Sequence, residues 1–293
     1  MLKAVSKWWE KCFLEERPST ALGIFRLAVA FTVGAHVIPT LLHMEDNYLS
    51  SAFKEKNLSF FTPGVIAWID KSPDWLVLMM AKVFYISLVF FAAGFLSQFS
   101  CILMTLCCYY FYALNSLHIG TLSFDILLVT LFLVGMTGYP GDNLSFDCLI
   151  RYRSLLSPRQ RPFFVQRLLQ LQIASTYLYT GLCKIAAEGN WLDGNPLYYL
   201  YNSTSESVVK HFPLRSFLAH QPGLCHAIGI AVILGEFSMP FLLFIRKTRP
   251  WAVALGFFFH VLLLVTLHVP TIFFFLFPPQ LLLFIFPRRN PGR

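Results

Sequence analysis

Charge is scarce in this sequence of 293 residues: only 13% of them are Asp, Glu, Lys or Arg, about half the share of an ordinary soluble domain. The sequence also lacks internal repeats, low-complexity tracts and metal-ligand spacings of Cys and His. Hydrophobic residues make up 56% of the chain, among them 31 Phe and 12 Tyr, which is more than a soluble core of this size could bury. The composition excludes a soluble globule and predicts an all-α, polytopic membrane protein.

Long apolar segments recur along the whole chain. A helix that crosses a bilayer needs about 20 apolar residues. We therefore expect a bundle of about eight transmembrane helices, over residues 21–42, 75–96, 99–116, 121–138, 164–186, 223–245, 250–268 and 271–287. The pair Pro278-Pro279 interrupts the last segment, so we expect that segment to be bent or divided into two short pieces.

Basic residues are concentrated in the segments that the positive-inside rule assigns to the cytoplasm. If the N-terminus is inside, most of the 23 Lys and Arg residues lie before residue 18, in 151–167, in 246–249 or after 287. Both termini are then cytoplasmic, in the plasma membrane of a bacterium or the endoplasmic reticulum of a eukaryote. This bias accounts for the net charge of +8, and no basic-aromatic motif indicates a nucleic-acid partner.

Three segments are predicted to lie on the membrane surface rather than across it. Residues 44–74 and 188–222 are rich in aromatic residues but too polar to span, so we expect outward-facing interfacial helices there. Residues 1–18 are predicted to form an amphipathic helix on the inner surface. The rest of the chain, 19–293, is expected to be one transmembrane domain.

A few ionisable residues fall at membrane depth, where each of them is costly. Arg26 is expected to reach the inner headgroups by snorkelling. Glu236 and His260 are placed near the middle of two helices that a short turn joins, and we expect them to form a buried structural pair.

Lys184 is placed differently, near the outer end of the fifth apolar segment and among small and apolar residues. Desolvation disfavours the charged ammonium, and a neutral amine at that depth would be a competent general base. The alternative is a lysine whose ammonium reaches the outer headgroups. The residues by themselves leave both interpretations open.

The segment GLCKI at 181–185, followed by WLDG at 191–194, resembles the G-x-x-K-(L/I)…W-x-x-G segment of the vitamin K-dependent γ-carboxylases. The transmembrane part of those enzymes is the HTTM domain. Shorter matches in the same order extend the likeness over nearly all of residues 20–287, at positions 74–75, 100–101, 115–118, 145–149, 247–250 and 259–260.

The resemblance implies roles for individual residues. Lys184 would be the base that deprotonates reduced vitamin K or another quinol, and His118 would assist it. Tyr177, Trp191 and His260 would line the quinol pocket. In the family, oxidation of the hydroquinone by O2 generates a strong base that removes a γ-proton from a peptide Glu, and CO2 then adds. No metal is expected.

The carboxylases carry a large extramembrane domain after the last span, whereas this sequence ends at Arg293. One expectation is therefore an enzyme that acts on a secreted peptide or protein within the lipid membrane and relies on a separate subunit to recognise it. The alternative is a non-enzymatic maturation or export factor of the stand-alone HTTM type. A transporter ranks below both, because paired broken spans are lacking. Replacement of Lys184 discriminates between the first two.

Overall fold

The structure is a computed structural model that describes residues 9–50, 52, 63–115, 122–136, 139–186, 191–193, 195–202, 213–267 and 272–285. Most of these residues are helical, and the two short strands described form a single ladder. The all-α fold class is confirmed. The chain divides into two compact units, and among the described residues the first extends to Leu168 and the second begins at Leu169.

Helices that pack side by side build the first unit. Helix α5 (Ser97–Leu114) lies against α4 (Asp74–Ala93) and α6 (Leu122–Met136), and α1 (Thr20–Leu42) packs on α4. Four apolar residues of α1, spaced four apart, are at most 1% exposed: Phe25, Val29, Val33 and Val37. This spacing puts them on one face of the helix, which is the face turned to the core. The helices are α1 (Thr20–Leu42), α2 (Met44–Asn47), α3 (Pro63–Asp70), α4 (Asp74–Ala93), α5 (Ser97–Leu114), α6 (Leu122–Met136) and α7 (Phe146–Tyr152).

The turn between α4 and α5 is held by α7. Helix α4 ends at Ala93 and is followed by Gly94, whose φ of 70° suits glycine. A Cβ on Gly94 would lie too close to the side chain of Ser145. The carboxylate of Asp147 accepts hydrogen bonds of 2.8 Å from the backbone N–H groups of Leu96 and Ser97. Asp147 thereby satisfies donors at the start of α5 that have no partner within the helix.

Arg26 does not snorkel, and that prediction is wrong. Its side chain is 0% exposed, and its guanidinium donates hydrogen bonds to the backbone carbonyls of Pro140, Asn143 and Leu144. A guanidinium presents five donors in one plane, so a single side chain can hold several carbonyls of one loop. Arg26 therefore fastens the 140–144 loop to α1.

The prediction of one helix over residues 1–18 is wrong for its last part. Residues 1–8 lie outside the described residues. A single π-helical turn spans Glu10–Leu14, and β1 (Glu16–Pro18) then pairs antiparallel with β2 (Gln160–Pro162). Each strand ends in proline, and the residue before a proline is disfavoured in helical conformation. The extended backbone follows from those two prolines.

The second unit contains the rest of α8 and the helices after it. Helix α11 (Pro222–Phe244) packs on α12 (Arg249–Thr266), and α12 packs on α14 (Phe277–Leu282). The last apolar segment consists of two short pieces that separate at Leu276, because Pro278 and Pro279 fit the first turn of a new helix but lack the N–H that a continuing helix needs. The elements are α8 (Phe164–Ala186), a 3₁₀ turn (Trp191–Asp193), α9 (Asn195–Asn202), α10 (Arg215–Ala219), α11 (Pro222–Phe244), α12 (Arg249–Thr266), α13 (Ile272–Phe275) and α14 (Phe277–Leu282).

Five helices among the described residues are long and apolar enough to cross a membrane: α1, α4, α5, α11 and α12. Helix α6 is apolar but shorter. Helix α8 has 23 residues and carries several glutamines, of which Gln170 donates to the carbonyl of Leu283, while Gln280 of α14 donates to the carbonyl of Leu169. The polar groups of α8 are thus used inside the protein, and the chain is an integral, multi-pass membrane protein.

Candidate functional site

Lys184 and Glu236 form an ion pair within the second unit. Nζ of Lys184, in the last turn of α8, donates to both carboxylate oxygens of Glu236 on α11, over 2.7 and 2.9 Å. The two side chains are 20% and 8% exposed, respectively. The sequence placed Lys184 among small and apolar residues and left open a neutral base or an ammonium at the outer headgroups. In the structure its amine instead contacts a carboxylate. The predicted pair of Glu236 with His260 is wrong, because Glu236 pairs with Lys184.

Gly181 explains how the two helices come close enough for this pair. It lies one turn before Lys184, on the same face of α8. A Cβ at this position would stand 3.1 Å from the ring of Phe237 and 3.4 Å from the Cβ of Glu236. Because Gly181 has no side chain, α11 can pack closely against α8 at this point. The Gly-x-x-Lys spacing then places Lys184 one turn from the close contact, within reach of Glu236 on α11.

Trp191 completes the surroundings of the amine. Nζ of Lys184 lies 5.4 Å from the centroid of the Trp191 ring, within the range of a cation–π interaction. The structure thus brings together two residues that the sequence assigned to one site, although six residues separate them in the chain.

Tyr177 and His260 form a second polar pair. The hydroxyl of Tyr177 on α8 lies 2.9 Å from Nε2 of His260 on α12, and both residues are buried, at 6% and 2% exposure. The ring of Phe277 contacts the imidazole edge-on. Among the residues that the structure describes, Nδ1 of His260 has no hydrogen-bond partner, so the imidazole keeps unused hydrogen-bonding capacity.

An apolar cavity of about 270 Å³ lies between α11, α12 and Tyr177. Tyr177 and Glu236 are its polar residues, so each of the two polar pairs contributes one member to the wall. The apolar lining is formed by Ile228, Ala231, Val232, Gly235, Met239, Leu255, Gly256, Phe258, Phe259 and Leu262. The arrangement suits a flat, largely apolar molecule with few polar atoms.

Two glycines of the lining differ in the space around them. A Cβ on Gly256 would lie 2.8 Å from Cε of Met239 and 3.3 Å from the Tyr177 hydroxyl. A Cβ on Gly235 would meet nothing within 4 Å, so Gly235 borders open cavity space.

The predicted site residues are only partly brought together. Lys184 and Trp191 lie in contact, and Tyr177 bonds to His260, but His118 lies outside the described residues. Sequence reasoning missed Glu236 as the partner of Lys184. A signal was present, because a lysine and a glutamate at membrane depth on consecutive long helices carry opposite charges, and each costs less when paired. Within the described part of the chain, no group of three or more His, Cys, Asp or Glu residues is arranged to hold a metal ion.

Comparison with known protein families identifies the domain to which most of the chain corresponds. The family model of the HTTM domain matches residues 15–287. Comparison with curated proteins and with solved structures found no match.

Proposed function

This chain belongs to the HTTM-domain family, and from that membership we propose that it is a membrane enzyme that oxidises a reduced quinone and couples the oxidation to carboxylation of a peptide Glu. The HTTM domain is the transmembrane part of vitamin K-dependent carboxylase. The observation that carries the proposal is the Lys184–Glu236 pair, whose carboxylate lines an apolar cavity. Ionisable residues are rare at membrane depth and mark candidate functional sites.

The residues around the cavity fit a hydroquinone. The wall is apolar except where Tyr177 and Glu236 reach it, so a ring and its isoprenoid substituents would contact hydrocarbon while a ring hydroxyl meets a polar group. The polar group that Tyr177 brings to the wall is its hydroxyl, which is bonded to Nε2 of His260. When bound, the hydroquinone supplies the reducing equivalents that O2 consumes to generate a strong base.

The ion pair, rather than an isolated amine, is the proposed proton acceptor. Glu236 lines the cavity, so one of its carboxylate oxygens accepts the hydroxyl proton. Nζ of Lys184 contacts both carboxylate oxygens. Its positive charge stabilises the negative charge that develops on the quinol oxygen as the proton leaves, and the low dielectric of the site strengthens this attraction. Trp191 keeps the ammonium in place through its ring.

The orientation that the basic residues favour is part of the proposal. With both termini in the cytoplasm, the end of α8 that carries Lys184 lies towards the outer face. The site is then accessible to a secreted peptide.

Purified protein supplied with reduced vitamin K, O2, CO2 and Glu-containing peptides is expected to form vitamin K epoxide and carboxylated peptide. Lys184→Ala is expected to lower the rate of epoxide formation about 100-fold or more, since loss of one preorganised group that stabilises developing charge costs roughly 10²–10³-fold. The measurement is chromatographic detection of epoxide and mass spectrometry of the peptide, at equal amounts of folded protein.

Lys82→Ala is the matched control, because Lys82 is an exposed lysine on another apolar helix, α4. Formation of epoxide without carboxylated peptide would support the proposed oxidation of the quinol and contradict the proposed carboxylation of peptide Glu. No turnover by wild type with any quinol would overturn the proposal and favour a maturation or export factor whose ion pair only stabilises the bundle.

Gly235→Leu is expected to abolish quinol turnover while leaving the fold intact. The new side chain would enter the space that borders Gly235 and occupy the proposed ring site, and replacement of a helical glycine favours the helix by up to about 1 kcal/mol. Gly223→Leu is the control, since Gly223 is an exposed glycine of the same helix with open space around it. Unchanged KM and kcat in Gly235→Leu would place the quinol elsewhere.

A further inference from the structure

A second cavity, of about 260 Å³, lies in the first unit between α5 and α6. Thr105 and Tyr109 of α5 form one wall. Leu128, Val129 and Phe132 of α6 form the other, and Asp125 of the same helix completes the lining. None of these residues takes part in the site around Lys184.

The carboxyl group of Asp125 is the unusual feature of this cavity. The residue is only 9% exposed, and the side chain of Tyr112 lies close to its carboxyl group. Oδ1 has no hydrogen-bond partner in the part of the chain that the structure describes. A buried carboxylate with an unpaired oxygen is costly in an apolar environment, so the cavity is suited to a ligand that brings a hydrogen-bond donor and positive charge.

The position of the cavity indicates what kind of molecule carries that donor. Asp125 is in the first turn of α6, which puts it near the end of an apolar helix and hence near the headgroup level. Val129 and Phe132, 39% and 58% exposed, lie one and two turns further along the same face. Exposed apolar side chains of a membrane helix face acyl chains, so the ligand has a polar head at Asp125 and a hydrocarbon chain along α6.

We propose that this cavity binds phosphatidylethanolamine, with its ammonium hydrogen-bonded to Oδ1 of Asp125 and an acyl chain packed along Val129 and Phe132. A primary ammonium supplies both the opposite charge and three N–H donors. The choline headgroup carries the same charge but no N–H. An anionic headgroup such as glycerol phosphate would bring its negative charge close to the carboxylate and be repelled.

A graded lipid series tests the hydrogen bond without any mutation. Purified wild-type protein in detergent is titrated with phosphatidylethanolamine, its monomethyl and dimethyl derivatives and phosphatidylcholine of the same acyl chains, and bound lipid is measured by native mass spectrometry. Affinity is expected to fall as N–H donors are replaced by methyl groups, with phosphatidylcholine bound about tenfold more weakly than phosphatidylethanolamine. Equal binding of the two end members would overturn the proposal.

Two variants place the site. Asp125→Asn is expected to remove most of the preference for phosphatidylethanolamine, and Leu128→Trp, which fills the cavity, is expected to reduce binding of every lipid in the series. Asp70→Asn, at an exposed acid at the end of α3, is the control and is expected to bind as wild type does. A full preference in both Asp125→Asn and Leu128→Trp would put the selective lipid site elsewhere. Quinol turnover is not part of the readout, so this result is independent of the proposed function.

Discussion

Lys184→Ala is expected to lower the free energy of unfolding by about 3 kcal/mol, because removal of one partner leaves the other charge buried and unpaired. The remaining carboxylate of Glu236 is only 8% exposed. Partial exposure of Lys184, at 20%, puts the expected loss at the lower end of the range for buried ion pairs. Glu236→Ala is expected to cost a similar amount. Denaturation of the purified protein in detergent micelles measures both values.

The double variant Lys184→Met/Glu236→Leu separates stability from chemistry. Apolar replacement of both members of a buried ion pair is often neutral or stabilising, so the double variant is expected to unfold within about 1 kcal/mol of wild type or above it. It is also expected to lack quinol turnover, since neither acceptor nor counter-charge remains. Lys82→Met is the control for loss of a lysine. A double variant with wild-type turnover would reduce the pair to a structural role, and single variants as stable as wild type would contradict the pairing itself.

Arg26→Met is expected to lower the free energy of unfolding by about 3 kcal/mol or more, since Arg26 is fully buried and serves three carbonyl groups at once. Each carbonyl that loses a charged donor is left unsatisfied at a cost of about 1–3 kcal/mol, although water that enters the loop reduces the sum. Arg26→Lys is expected to recover only part of this, because an ammonium lacks the planar fork of a guanidinium. Thermal denaturation in detergent measures the global effect.

Local proteolysis provides a second readout for Arg26. Exposed residues 153–156 follow the loop that Arg26 holds, and Arg26→Met is expected to be cleaved there faster than wild type. Arg246→Met, at an exposed arginine beyond the end of α11, is the control and is expected to change neither measurement. Unchanged stability together with unchanged cleavage in Arg26→Met would show that the loop does not depend on this side chain.

The long helices could be predicted from the sequence because the signal is local. The segment predicted at 21–42 is helical over Thr20–Leu42, and the segment predicted at 164–186 is helical over Phe164–Ala186. Length and apolarity decide whether a segment can cross a bilayer, and both are read directly from the residues. The division at Pro278-Pro279 was also predictable, since a proline cannot continue a helix.

The contacts between side chains of different helices were harder to predict than the helices themselves. Glu236 was recognised as a costly residue at membrane depth, but its expected partner was His260, which instead bonds to Tyr177. The sequence allows Glu236 on α11 to pair with His260 on α12 or with Lys184 on α8. Which of these pairs forms depends on the rotation of each helix about its axis. A rotation of a few tens of degrees moves a side chain from one neighbour to the next.

The sequence by itself determined that this protein is a multi-pass helical membrane protein of the HTTM family, because composition, apolar length and the ordered motifs are properties of consecutive residues. The tertiary structure alone decided that Lys184 meets Glu236, that Arg26 holds a loop 114 or more positions away, and that two separate cavities each have a carboxylate in the wall. Those arrangements depend on the relative rotation and depth of packed helices, to which residues distant in the chain contribute jointly, and no local pattern encodes them.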